Sequence, residues 1–427
     1  MTGRKPARRL LIDITPLRRS RDFRALISGQ TVSVLGTQLT AVAVPYQVYE
    51  LTRSSLDVGL VSLVQLFPLV IGSLVGGSVV DAVDRRRLLL VVESLAAACS
   101  AGLAVNADLV PALWPLFVLP AVAATLSGFD SSARSAMVPN MVRRSEVSTA
   151  NAMFQALFQL GAVAGPAVAG LLLAGPGIRF VYWMDVASFG ASLLSVFLIS
   201  PQRPGHGGHR PGLRSIVEGF AFLRGRQAIQ GAYLIDINAM VFGMPRALFP
   251  ALASTVFGGG AATVGFLYAA PGAGALVGAL TTGWVGRVRR QGLAVIIAVI
   301  AWGLAITGFG LVRWLPAALV LLAVAGAADV ISAVFRMMIV TQVAPDQMQG
   351  RVNSLIYAGI QGGPRLGDAE AGAAAAIGGP SFAAWSGGLL SVATAVLTCW
   401  LLPGIWRYDT RTGSPPLVTG EAAEQPG

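Results

Sequence analysis

Long apolar runs alternate along the chain with short polar breaks rich in Arg. A helix needs about 20 mostly apolar residues to cross the hydrocarbon core of a bilayer. Residues 25–49, 58–80, 109–129, 147–178 and 291–312 contain no charged side chain, and each predicts one such helix. Residues 247–286 and 371–406 are longer than one span, and each contains turn chemistry, Gly258-Gly259-Gly260 and Gly378-Gly379-Pro380, so each predicts part of a helical hairpin. Runs interrupted by one or two charges supply the others: 88–106 around Glu93, 180–200 around Asp185, 228–249 around Asp236 and Arg246, and 314–340 around Asp329 and Arg336. The pattern predicts an all-α integral membrane protein of twelve transmembrane helices. Their predicted positions are 24–50, 57–80, 87–106, 111–138, 146–174, 180–200, 228–254, 261–284, 291–311, 315–341, 350–377 and 381–404.

Composition agrees. Of the 427 residues 54% are hydrophobic and 12% charged, against roughly 25% charged in a soluble domain. A water-soluble fold and intrinsic disorder are both excluded. The net charge of +11 would suggest a nucleic-acid partner only if the bases shared one solvated face. They do not. One alternate set of loops and termini holds 23 bases, including Arg85 to Arg87, Arg143, Arg144, Arg287, Arg289 and Arg290, while the other holds only Arg53, Arg179 and Arg313. Bases near span ends tend to stay on the cytoplasmic side. Both termini are therefore expected in the cytoplasm of a multi-pass protein of the cell (inner or plasma) membrane, and the basic start lacks the small-residue site of a cleaved signal. Cys99 and Cys399 lie in apolar runs, and His206 and His209 have no further ligand nearby, so no cofactor, metal or disulfide framework is expected.

Residues 201–212 read as a linker, and Leu213, Ile216, Val217, Phe220 and Leu223 continue it as an amphipathic surface helix. Sliding the chain by 202 residues pairs Arg8, Arg24, Arg85, Arg87 and Arg134 with Arg210, Arg226, Arg287, Arg289 and Arg336. Roughly one such Arg pair would arise by chance. Gly72, Gly76, Gly161 and Gly165 pair with Gly274, Gly278, Gly363 and Gly367 at the same shift. The expected organisation is an N-terminal segment 1–23, a six-helix bundle 24–200, a linker 201–227, a second pseudo-symmetric six-helix bundle 228–404 and a tail 405–427. Duplicated six-helix halves are a known plan of secondary transporters, with substrate bound near the bilayer midplane.

Two motifs carry a resemblance. Gly77, Asp81, Arg85 and Arg86, at the end of the second span, resemble the signature of the major facilitator superfamily, with Ala82 and Asp84 departing from it. Gly77 permits close helix approach, and Asp81 can pair with an Arg or a helix N-terminus in contacts that break when the cytoplasmic side opens. A positive-inside loop with an incidental acid is the plainer reading. Gly161, Gly165, Pro166 and Gly170 resemble the antiporter motif of drug-exporting facilitators, although small-residue packing explains them equally well. Further segments, among them 43–47, 247–252, 264–270, 350–353 and 367–368, resemble the enterobactin exporter branch. The resemblance implies the major facilitator fold and proton-coupled antiport of a siderophore, drug or other natural product. Facilitated uptake is the alternative within that class.

Ionisable residues at membrane depth cost about 2.5–3.5 kcal/mol even on insertion scales, so each is a functional candidate. Asp236, two turns into the seventh span, is the leading proton-coupling candidate, with Asp130, Glu93 and Asp329 beside it. A carboxylate that is ionised toward water and protonated when occluded carries a proton across. Arg246 is a possible counter-ion of Asp236 or an outer-end charge. Glu93 and Asp185 are expected near span ends, within reach of water. Asp130 and Arg134 are i and i+4 on one face, and Asp329 lies seven residues before Arg336, again on one face. These arginines either line a substrate cavity or form structural ion pairs. Arg365 and Asp368, i and i+3, predict a local pair, with Glu370 nearby. Gln30, Ser33, Thr37 and Thr40 form a polar stripe that lines a cavity or bonds a neighbouring helix, and Asn238 is a further cavity candidate. With no Ser-His or metal-ligand constellation the chain does not read as an enzyme, and nothing in it specifies a scaffold. The expected partners are a small-molecule substrate, protons and the lipid bilayer, acting on a monomer.

Overall fold

The hydrocarbon core offers no water to backbone N–H and C=O groups, so a spanning chain must satisfy them within its own segments. The computed structural model describes residues 15–202, 221 and 223–409, and all regular structure among them is helical. The predicted linker and amphipathic helix fall mainly on 203–220, and most of the tail on 410–427, outside the described residues.

The contacts divide the chain into two compact units, one of residues up to 210 together with 247–272, the other of 211–246 together with residues from 273 onward. The first contains α1 (Thr15–Arg19), α2 (Arg21–Thr52), α3 (Ser55–Ala82), α4 (Arg85–Asp108), α5 (Trp114–Met141), α6 (Val147–Ala174) and α7 (Ile178–Phe197). In it α3 packs on α5, α2 on α6 and α7, and α4 on α5 and α7. Side-chain caps set where its helices begin. Ser20, Ser54 and Asp84 accept from the backbone N–H of Phe23, Asp57 and Arg87 and start α2, α3 and α4.

The second unit is built on α8 (Gln227–Phe242), α11 (Gln291–Leu311), α12 (Leu315–Val343) and α13 (Asp346–Leu401). α13 packs on α8 and α11, and α11 on α12. Two shorter elements, α9 (Phe249–Thr255) and the start of α10 (Ala261–Thr281), belong by their contacts to the first unit.

Three details differ from the hydropathy pattern. The predicted helix 228–254 is broken: α8 stops at Gly243, Pro245 follows, and a 3-10 turn over Arg246–Leu248 precedes α9. Proline disfavours helical geometry in the residue before it and lacks an N–H, which explains the break. α13 runs through two predicted helices, but Gly379 interrupts it with φ 84° and ψ 168°, a conformation open to glycine, directly before Pro380. Finally, nine helical stretches among the described residues are long and apolar enough to cross a membrane. That number omits α2 and the 16-residue α8, and treats Gly359–Leu401 as one stretch.

Packing is turned inside out relative to a soluble protein. Phe67, Leu280, Ile377 and Trp400 are more than 70% exposed, while Gln47, Glu93, Ser100, Arg134, Asp185 and Ser192 are buried. Apolar groups face outward where lipid replaces water, and polar groups hold helices together inside. Small residues permit the closest approaches. Gly165 of α6 faces the Gln38 side chain of α2, and Gly367 of α13 faces the Met240 backbone of α8. Both members of this contact are related by the 202-residue shift.

Candidate functional site

In the first unit a guanidinium is shared by two carboxylates from two helices. Arg134 of α5 directs Nε at both oxygens of Asp130, one turn earlier, at 2.9 Å. Its Nη2 meets Glu93 Oε1 of α4 in a buried ion pair. Ser192 of α7 donates to the same Glu93 oxygen at 2.9 Å, which ties a third helix into the cluster. The Arg134 side chain is 7% exposed, Glu93 3% and Asp130 26%. Arg134 Nη1 and Glu93 Oε2 are buried without a hydrogen-bond partner. The cluster therefore has unused donor and acceptor capacity.

The second unit repeats the theme with different acids. Arg336 of α12 pairs through Nη1 with Asp236 Oδ1 of α8 at 2.7 Å, and its Nη2 lies 3.8 Å from Asp329 Oδ1. Nη1 also donates to Ser332 at 2.7 Å, so Ser332 stands one turn before Arg336 as Asp130 stands one turn before Arg134. A cavity of ≈ 20 Å³ adjoins the cluster, lined by Asp236, Met240, Trp302, Asp329, Ser332 and Arg336 among others. It has room for about one water molecule.

The chemistry follows from the charges. Each cluster holds one cation and two carboxyl groups, so with all three ionised it carries a net charge of −1. An excess charge in a water-poor interior is costly, and one bound proton removes it. Each cluster thus holds one more carboxyl group than it has cations. Asp130 and Asp329 are the more exposed acids, and Glu93 and Asp236 the enclosed ones.

All four acids expected to take part in proton coupling converge on these two arginines. Some surroundings differ from those expected. Glu93 and Asp185 do not reach water, at 2% and 1% exposure. Helix packing encloses both, although each lies toward the end of an apolar run. The counter-ion of Asp236 is Arg336; the break at Gly243 instead puts Arg246, itself exposed, at the start of the 3-10 turn. Asp185 is held by three hydroxyls: Thr40 and Ser100 each donate to its Oδ2 at 2.7 Å, and Ser188 lies 3.4 Å from its Oδ1. Thr40 thus shows the polar stripe of α2 bonding a neighbouring helix. Ser33 is buried, Thr37 is exposed and donates to the Ser33 carbonyl, and Gln30 has a buried, unpartnered Oε1. Asn238 is half-buried on α8. Arg365 donates to the Gln361 carbonyl at 2.7 Å.

At the basic end of the first unit, Arg85 Nη1 donates to the Ala136 carbonyl of α5 at 2.8 Å, and Arg86 Nη2 to the Phe197 carbonyl at the end of α7 at 2.7 Å. Both cations satisfy carbonyls near helix C-termini, where positive charge is favoured. Gly77 precedes them on α3, and the side chain of Asp81 lies outside the described residues. In α6, Gly161 and Gly165 face Val34 and Gln38 of α2, while Gly170 faces Gly265 of α10; Pro166 is buried between them in sequence. No group of three or more His, Cys, Asp or Glu side chains suited to a metal occurs among the described residues.

The family described as transmembrane secretion effector matches residues 13–413. Among curated proteins, the enterobactin exporter EntS of Escherichia coli O1:K1 is 29% identical over 410 residues, which cover 96% of this chain and 98% of that protein. The EntS of Shigella boydii serotype 18 matches equally. Among solved structures, the nucleoside transporter NupG aligns with a TM-score of 0.69 at 12% identity, covering 91% of this chain and 100% of its own. A bacterial homolog of the human lysosomal transporter Spinster, inward-facing and unoccupied, aligns at 0.67 and 14%, covering 90% and 95%. At such identities these structures show the fold alone.

Proposed function

Because the chain belongs to the transmembrane secretion effector family of major facilitator transporters, we propose that it is a proton-coupled exporter of a siderophore or a related natural product. It is a secondary transporter and not an enzyme. The observation that carries the proton coupling is the pair of arginines, each shared by two carboxyl groups in a net −1 cluster. When Glu93 or Asp236 gains a proton, its hold on the guanidinium weakens. A hydrogen-bond donor of the substrate that takes up the ionised carboxyl group excludes that proton, so substrate and proton compete for one carboxylate. That competition is the requirement for antiport.

Twelve spans follow if α2 and the α8–α9 pair each cross the membrane and α13 crosses twice, with its break at Gly379 as the outer turn. Arg85, Arg86 and the loop around Arg287 to Arg290 then lie on the cytoplasmic side, as do both termini, in the inner or plasma membrane of the cell. Asp81, Arg85 and Arg86 form a cytoplasmic gate whose arginines release the Ala136 and Phe197 carbonyls when that side opens. The protein works as a monomer within the bilayer.

The test is transport into inverted membrane vesicles supplied with the siderophore enterobactin. An acidic lumen is expected to drive accumulation inside, and collapse of the gradient to abolish it. Accumulation indifferent to the gradient would overturn the antiport reading. Loss of preloaded substrate under an acidic lumen would instead favour uptake into the cell.

A further inference from the structure

A second cavity in the second unit, a cleft of ≈ 430 Å³, is apolar along its length and basic at one end. Its floor is one face of α11, where Leu293, Ala294, Ile297 and Ala301 recur at helical spacing, and Ile331 and Phe335 of α12 form its opposite wall. The single charged residue lining it is Arg290, which directly precedes α11. Arg287, Arg289 and Arg290 are all exposed, and none forms an ion pair with a described residue. The segment from Thr282 to Arg290 contains no acid.

We propose that this cleft binds one acyl chain of an anionic phospholipid, with the headgroup phosphate held by Arg290. Length supports that occupant. From Arg290 to Ala301 the helix rises about 16 Å, and one leaflet of the hydrocarbon core is about 15 Å deep. A chain anchored at the basic end would therefore fill the groove to the middle of the bilayer. Charge supports it as well. A guanidinium grips a phosphate through paired N–H donors, and three arginines that form no ion pair with a described residue favour a net-negative headgroup over a zwitterionic one. In the orientation proposed above, the site lies in the cytoplasmic leaflet.

The position also links the lipid to the ion cluster. Ala298 and Ala328 line both this cleft and the small cavity around Asp236, Asp329 and Arg336. Two methyl-sized side chains are all that these residues place between the cavities. A bound chain would complete the wall on the lipid side and keep water from reaching Arg336 along it.

The test uses the purified full-length protein and native mass spectrometry, titrated with phosphatidylglycerol or phosphatidylcholine of identical acyl chains and with no substrate present. Its outcome is therefore independent of whether the protein exports anything. Wild type is expected to retain one phosphatidylglycerol at least about fivefold more tightly than phosphatidylcholine, since one base near a headgroup contributes about that factor. Arg290→Gln is expected to weaken both lipids, whose phosphate it releases, and phosphatidylglycerol about fivefold more, so that about fivefold of the preference is lost. Ala301→Phe and, as an exposed and better tolerated blocker, Ile297→Trp are expected to weaken both lipids. Equal binding of the two lipids by wild type would overturn the proposal, as would a preference unchanged in Arg290→Gln or lipid retention unchanged in a folded Ile297→Trp.

Discussion

Arg134 and Arg336 are the two side chains on which the account turns, and their neighbours show how far a single residue could be read in advance. The partners on the same helix were legible: Asp130 is one turn before Arg134, and Asp329 is two turns before Arg336. The partners on other helices, Glu93 and Asp236, were legible only as costly intramembrane acids. Sequence spacing does not say which helix faces which. Removing an arginine leaves buried carboxyl groups without their cation, a loss of about 3–5 kcal/mol for a buried pair. Arg134→Gln is therefore expected to lower the melting temperature in detergent far more than Asp130→Asn, whose partner is partly solvated. Glu93→Gln combined with Arg134→Gln should recover part of the loss, which a double-mutant cycle would read as coupling. Asp185 offers a contrast, since its contacts are hydroxyls. Asp185→Leu would leave Thr40 and Ser100 without an acceptor, at about 1–3 kcal/mol for each stranded group, whereas Asp185→Asn keeps one. A melting temperature for Asp185→Leu equal to that of Asp185→Asn would count against this reading.

At the scale of the element, the apolar runs predicted where helices lie better than where they bend. Gly378-Gly379-Pro380 marked the interruption of α13 correctly because a positive-φ glycine and a proline coincide there. Pro245 marked the end of α8 just as clearly, yet the unbroken apolar character of 247–254 masked it. Chain composition reports burial in lipid, not helical continuity. Helix pairing, by contrast, was partly encoded in the glycines. Gly72 and Gly274, related by the 202-residue shift, are each pressed against the fourth helix of their repeat, at Thr125 and Ala323. A Cβ at either position would collide with backbone. Gly165→Leu and Gly367→Leu are therefore expected to abolish monodisperse protein in size-exclusion chromatography. Gly286→Leu, at a site with open space around it, should elute as wild type.

For the whole molecule, scarcity of charge was the most informative property of the sequence. With 12% charged residues, most bases fall in one set of loops, and most of the few ions left inside spans resolve into two arginine clusters and one hydroxyl-held acid, with Arg365, Asp368 and Glu370 of α13 apart from them. The 202-residue correspondence is visible in those clusters, but it is incomplete. The arginines are related by 202 residues, whereas Glu93 and Asp236 have Val295 and Val34 as counterparts. Each repeat thus recruited its enclosed acid from a different helix, α4 in one and α8 in the other. That asymmetry is why the fold could be read from spacing while the acids enclosed with each arginine could not. It also makes a prediction: Glu93→Gln and Asp236→Asn should each impair coupling separately, rather than one being silent.

The most direct test of the central claim, that these two acids couple protons to export, compares two assays on the Glu93→Gln, Asp236→Asn double variant. The first is exchange of labelled for unlabelled substrate at equal pH across reconstituted vesicles. The second is accumulation in inverted vesicles with an acidic lumen. The account predicts that exchange persists while accumulation falls to the level seen after the gradient is collapsed. A double variant that still concentrates substrate as wild type does would contradict it.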